Sequence, residues 1–281
     1  MEALGYVVSN KFILIAVNTK LTIKWGTGPA DTFSLPNARK VHTIGKHLAI
    51  SVIGIPHKIS DIYKYILKIN NQQSTYDSIV EDLESIFNTD REKLVAKVGQ
   101  VRDLVSRHTD ASGVLDEAAV GAALAGNPEL ATIMTEAKSL IGAGANGVTK
   151  IFLFGRENDQ NVYGEYIVLG FNMTGYKETA PQADYVFYNI VSSIADPTLM
   201  EELISRQRDE LLPLLTPGWE TDSELENIVF AKCRQLLSDA LTELSNSTES
   251  PNVEFYTLNN ETNFEFAEPA IHLTNIEFNR Q

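Results

Sequence analysis

Two apolar runs open the chain, Leu4 to Val8 and Phe12 to Val17, and only Ser9-Asn10-Lys11 parts them. Both runs are rich in β-branched residues, and a three-residue polar spacer is of hairpin length, so the spacing predicts two antiparallel strands. A loop containing Gly26, Gly28 and Pro29 follows. Lys40-Val41-His42-Thr43-Ile44 and Leu48 to Gly54, parted by a turn at Gly45-Lys46, then read as a second hairpin. A fold that opens on two hairpins needs layers to cover their apolar faces.

The period changes after Lys58. Ile59, Ile62, Tyr63, Ile66 and Ile69 share one helical stripe, and Ile79, Leu83, Ile86 and Phe87 form another after Ser74-Thr75. Thr89-Asp90-Arg91-Glu92 has the spacing of a capping box and predicts a third helix to about Ser106. Asn127-Pro128 predicts a helix to about Ile141, since proline is tolerated at the first helical position. Residues 89–147 therefore read as a helical insertion. Strand signals return at Thr149–Gly155, Tyr163–Leu169 and Tyr185–Ile190. Helices are expected at about Pro197–Leu215 and Glu224–Asn246, then a strand at Val253–Leu258 and a tail over 259–281.

The 281 residues carry a net charge of -14, which argues against nucleic acid as a partner, because affinity for phosphate backbones comes from clustered Lys and Arg. The charge is uneven. Residues 1–70 hold nine Lys/Arg against three Asp/Glu, while the rest of the chain holds 14 against 34, a split that favours head-to-tail packing between copies. No apolar run reaches the roughly 18 residues that cross a bilayer, so no membrane partner and a cytoplasmic location are expected. Cys233, the one cysteine, lies in an apolar helical context and is expected to be buried and inert. The five histidines lack metal-ligand spacing, so no metal and no cofactor are expected. Gly142-Ala143-Gly144-Ala145-Asn146-Gly147 has dinucleotide-motif spacing, but its helix precedes and its strand follows, the reverse of what phosphate binding needs.

Ala3 to Ala16 resembles the first hairpin of proteasome subunits, and Asn37 to Gly54 is similar to their second hairpin. Asp61 with its helix, and Phe152-Leu153-Phe154-Gly155 through Tyr166, fit the same family in order. The resemblance covers most of residues 3–88 and 149–258. It implies an α+β fold, the four-layer αββα sandwich of N-terminal-nucleophile hydrolases, over residues 1–258 with the 89–147 insertion. Strands that come in hairpins and helices that come in pairs agree with packed layers.

Active members of that superfamily use an N-terminal Thr, Ser or Cys whose α-amino group acts as general base. The resemblance places Met1 at that position, and Met has no ionisable nucleophile. It places Val17 where the family carries an Asp, and Lys40 at the family's Lys. Gly54 falls at a glycine whose N–H serves an oxyanion hole, and Tyr188-Asn189 near a Ser-Gly turn, in a stretch without glycine from Gly175 to Gly218. A degenerate site with the remnants Met1, Val17, Lys40 and Gly54 implies a catalytically inactive subunit. It would assemble with itself or related subunits in a ring and could engage an unfoldase or regulator. Two alternatives stand beside it: an active threonine-type peptidase using Thr19 or Thr22, and a non-enzymatic protein-binding module on the same scaffold.

Overall fold

The computed structural model describes residues 3–19, 21–24, 32–35, 39–54, 56–69, 74–133, 148–181, 184–192, 197–245 and 253–259. Met1, the glycine run 142–147 and the tail from residue 260 lie outside the described residues. The chain divides into two compact units, one comprising Met1–Ile79, Thr149–Ile167 and Gly175–Gln281, the other Val80–Val148 and Val168–Thr174.

The first unit is built on the opening hairpin. Strands β1 (Ala3–Val8) and β2 (Phe12–Asn18) pair antiparallel, Leu4 opposite Val17 and Val8 opposite Ile13. The turn is held by Ser9, whose Oγ accepts from the N–H groups of Lys11 (3.2 Å) and Phe12 (3.0 Å). On the outer side of β1 lies β10 (Phe187–Ser192), and on that of β2 lies β11 (Val253–Asn259), both antiparallel, giving the order β10-β1-β2-β11. The second sheet has the order β5-β6-β7-β8-β9: Val41–Ile44, Leu48–Ile53, Thr149–Glu157, Gln160–Leu169 and Asn172–Thr179. β3 (Leu21–Lys24) and β4 (Thr32–Leu35) form a separate antiparallel pair.

Side chains of β1 and β2 divide between two cores, as the period of two requires. Ala3, Val7, Phe12, Leu14 and Ala16 join Leu203, Trp219, Leu236 and Leu237, which belong to α4 (Pro197–Leu211), a short 3₁₀ turn at Trp219–Thr221, and α5 (Ser223–Ser245). Leu4, Tyr6, Val8, Ile13, Ile15 and Val17 face the second sheet and meet Val41, Ala49, Ile53, Phe152 and Phe154. Gly5 lets α5 come close: a Cβ there would stand 2.7 Å from Leu237 Cδ2. Cys233 sits in the helix-side core, where burial pushes its thiol up to about 12, so it stays protonated.

On β5 packs α1 (Pro56–Ile69), where the Tyr63 hydroxyl donates to the Lys40 carbonyl (2.9 Å) and the Tyr63 ring lies 3.9 Å from that of His42. Helix α2 (Tyr76–Arg107) starts on a reciprocal cap: Thr75 Oγ1 accepts from Ser78 N–H and Ser78 Oγ from Thr75 N–H. Tyr76 lies over β8 at Gly164, where a Cβ would collide with the Tyr76 hydroxyl and the Tyr176 carbonyl.

The second unit takes α2 onward from Val80, with Leu83 and Phe87 buried. Asp110 builds the turn after α2, its Oδ1 accepting from the N–H groups of Ser112 and Val114 and from Ser112 Oγ. Those hydrogen bonds, Ser112 first, hold its carboxyl below the usual range. Asp116 caps α3 (Glu117–Ala125) through Ala119 N–H, and Asn127 caps a helical segment over 128–133 through Leu130 N–H.

Five elements differ from the sequence expectation. Residues 89–92 do not start a helix; they lie inside the continuous α2, because nothing between Tyr76 and Arg107 breaks the backbone pattern. β3 and β4 occupy what reads as loop, and α3 is an additional helix. β9 was not expected: Asn172–Thr179 is a polar edge strand exposed at nearly every position, so it has no apolar period to betray it.

Glu220 generates a pH prediction. It is buried beside the β1–β2 turn, bonded by the Asn10 side chain and the Asp184 N–H, and burial holds its carboxyl above the ordinary range, with the Asp184 charge adding to the effect. A raised carboxyl favours the protonated native state, so its contribution to stability is full below the ordinary carboxylate pKa and is lost as pH rises. In thermal melts Glu220→Gln should match the native protein near pH 4 and become the more stable of the two toward pH 7. At β8, Gly164→Ala should cost about 1–3 kcal/mol in a denaturant titration, because the Tyr176 backbone cannot move aside cheaply.

Candidate functional site

Of the residues singled out by sequence, Val17 lies near the end of β2, opposite the start of β1. Val17 is 1% exposed, lies opposite Leu4 on one flank and Glu254 on the other, and packs in the core between the sheets. Lys40 is also buried, and its carbonyl accepts from both Ser51 Oγ (3.0 Å) and the Tyr63 hydroxyl (2.9 Å). The backbone of Lys40 is therefore a junction between β6 and α1. Gly54 follows β6 with φ at 141°, a conformation that glycine adopts without strain. Met1 lies outside the described residues.

Tyr188 and Asn189 are not at a turn. They sit within β10, opposite Val7 and Tyr6, and Asn189 Nδ2 donates to the Tyr6 hydroxyl (3.0 Å). The strand end beside Ala3 is Ser192, four residues further on than the sequence placed it. The displacement has a simple cause: β10 runs from Phe187 to Ser192, whereas Tyr185 is an exposed residue ahead of it. Of the threonines considered as alternative nucleophiles, Thr19 is buried just beyond β2, and Thr22 lies in β3 opposite Ser34.

Sequence reading missed three residues of this neighbourhood. Glu254 is buried on β11 directly opposite Val17, so a carboxylate stands one strand away from the position where the family resemblance asks for one. The Tyr256 hydroxyl donates to Glu254 Oε2 at 2.6 Å, and Arg39 also bonds Tyr256. Burial, then the hydrogen bond to Glu254, pushes the Tyr256 phenol well above its usual range, so it is a donor at every physiological pH. The signal for Glu254 was present in the alternation of Val253–Leu258, which puts Glu254 on the same face as Tyr256 and Leu258.

The chemistry available here is limited by Val17. General-base and nucleophilic catalysis need a proton acceptor within hydrogen-bond reach of a reacting hydroxyl, thiol or amine. Val17 supplies an isopropyl group in a packed apolar layer, and the carboxylate opposite it already holds a phenolic proton donor. Among the described residues, no group of three or more His, Cys, Asp or Glu gathers to hold a metal ion.

No protein-family model matches the sequence, and no curated protein does. Among solved structures, the chain is similar to the helical assembly of the Anbu complex from Pseudomonas aeruginosa, with 9% identity over 96% of this chain and 87% of that one and a TM-score of 0.46. It is also similar to Anbu, the ancestral beta-subunit, from Yersinia bercovieri, with 12% identity over 96% and 89% of the two chains and a TM-score of 0.39. Both structures are named as Anbu and not as the 20S proteasome, so the expected assignment to the 20S family is corrected. At such identities and TM-scores no residue role passes from them to this chain.

The cross-strand placement of Val17 and Glu254 is directly testable. Val17→Asp should destabilise the protein by about 3 kcal/mol or more, since it buries a charge with a like charge directly opposite. Glu254→Gln in that background should recover part of the loss in a denaturant titration. Independent, additive effects would contradict the register.

Proposed function

We propose that this protein is a non-catalytic subunit of a homo-oligomer, built on a four-layer αββα scaffold and working in the cytoplasm. The observation that carries the reading is Val17. At 1% exposure it fills the inter-sheet core at the end of β2, where a working site would need a polar group open to substrate. Glu254 and Tyr256 satisfy one another beside it, leaving a buried hydrogen bond where an active centre would keep an acceptor poised.

The layered scaffold is supported by α4 and α5 against the first sheet, by the second sheet on its opposite face, and by the Tyr63 and Tyr76 contacts beyond that. Self-association is supported by the charge imbalance between the first 70 residues and the rest of the chain. An unfoldase or regulator would then act on the assembly, with this subunit supplying surface and not chemistry.

The test combines three measurements on the purified full-length protein. A threonine-directed epoxyketone should leave the intact mass unchanged, fluorogenic peptides should not be cleaved, and light scattering should report a particle several times the 31.1 kDa chain mass. A covalent adduct with peptide turnover would overturn the non-catalytic reading. A concentration-independent monomer would overturn the oligomer.

A further inference from the structure

Two helical surfaces of the first unit carry opposite charge. Helix α1 (Pro56–Ile69) holds three lysines against one aspartate, and on its exposed face Lys64, Leu67 and Lys68 lie within one turn of each other. Leu67 is 45% exposed, a large apolar residue bracketed by two cations. The α4–α5 layer, over residues 197–245, holds ten acidic residues against four basic ones.

The exposed apolar residues of that layer are also specific in place. Ile228 lies one turn from Glu224 before it and one turn from Lys232 after it, and Lys232 Nζ pairs with Glu210 of α4 at 2.7 Å. Leu212 follows two residues beyond Glu210, and Asp209 lies one turn before Leu212. The exposed Leu212 (52%), in the short 3₁₀ turn after α4, has Arg208 and Asp209 one turn before it, and the exposed Ile228 (44%) has Glu224 one turn before it, with the Lys232–Glu210 pair joining the two helices. Such a surface is complementary to the α1 face in both respects, apolar centre to apolar centre and carboxylate to ammonium.

We infer that α1 of one copy docks on the α4–α5 face of the next, a heterologous head-to-tail contact. This rests on the self-association proposed above and adds its geometry. Because the two surfaces differ, one contact leaves a free α1 face at one end and a free α4–α5 face at the other. The assembly therefore grows into a ring if the rotation closes and into a helical filament if it does not. A second copy is the occupant that the charge pattern selects, since each copy carries both halves of the contact. Its attraction is partly ionic and should weaken as salt shortens the screening length to roughly 3 Å near 1 M.

The experiment uses two full-length variants, Lys64→Glu/Lys68→Glu and Asp209→Lys/Glu224→Lys, with far-UV circular dichroism checking that each keeps its fold. Each alone should sediment as a monomer, or associate at least about tenfold more weakly than the unaltered chain. Mixed in equal amounts they should regain the large assembly as alternating copies, because the unaltered faces match one another and the charge-exchanged faces match one another. A chain carrying all four substitutions should regain the large assembly, its charges merely exchanged. If the single-face variants assemble as the unaltered protein does, or if the mixture stays monomeric, the α1 contact is wrong even though self-association stands. If the unaltered chain is itself monomeric at every concentration, both the contact and the oligomer fail.

Discussion

Everything in the first unit hangs on the opening hairpin being buried on both faces. Every residue of β1 and β2 is inaccessible, so each strand must supply apolar side chains to two cores at once. That requirement leaves no solvent-facing positions along the hairpin and forces helices onto one face and a second sheet onto the other. Gly5 and the Tyr6 ring show the two demands side by side. The glycine lets Leu237 of α5 approach, while the tyrosine lies in an edge contact with Phe154, ring centroids 5.0 Å apart, across the inter-sheet layer.

The same constraint decides the chemistry. Position 17 points into the inter-sheet layer by the same alternation that buries Ile13 and Ile15. A carboxylate can be held there only with partners, and this chain has valine at that place and sets its carboxylate on the neighbouring strand with Tyr256 as donor. Lys40 enters the layer's edge with its main chain fixed by Ser51 and Tyr63, so its position is a product of packing between β6 and α1.

Much of this was legible in the sequence where one period dominated. The two hairpins and β11 were legible as apolar, β-branched-rich runs bounded by polar turns, and α1, the stripe at the start of α2 and α5 by their period of 3.6; all occur where those signals place them. What could not be read were elements whose cause lies outside their own residues. β9 is a strand because β8 offers it hydrogen bonds, not because Asn172–Thr179 alternates. α2 runs through Thr89 because its backbone is uninterrupted, although Thr89–Glu92 has the spacing of a cap. At the candidate site, Val17 and Lys40 were found by position along the chain, whereas Glu254 comes from more than 230 residues later and reaches Val17 only through strand pairing. Register is a tertiary fact, and a local reading does not contain it.

Native-state hydrogen exchange bears most directly on the central claim that the Val17 end is packed core and not an accessible centre. The Leu14, Ala16 and Val17 amides should exchange only through global unfolding, with the free energy measured for amides in the middle of α5. Exchange of Val17 and its β11 neighbours through a low-energy local opening, while the rest of β2 stays protected, would mean that the end of the sandwich opens to solvent as a substrate site must, and would contradict the account.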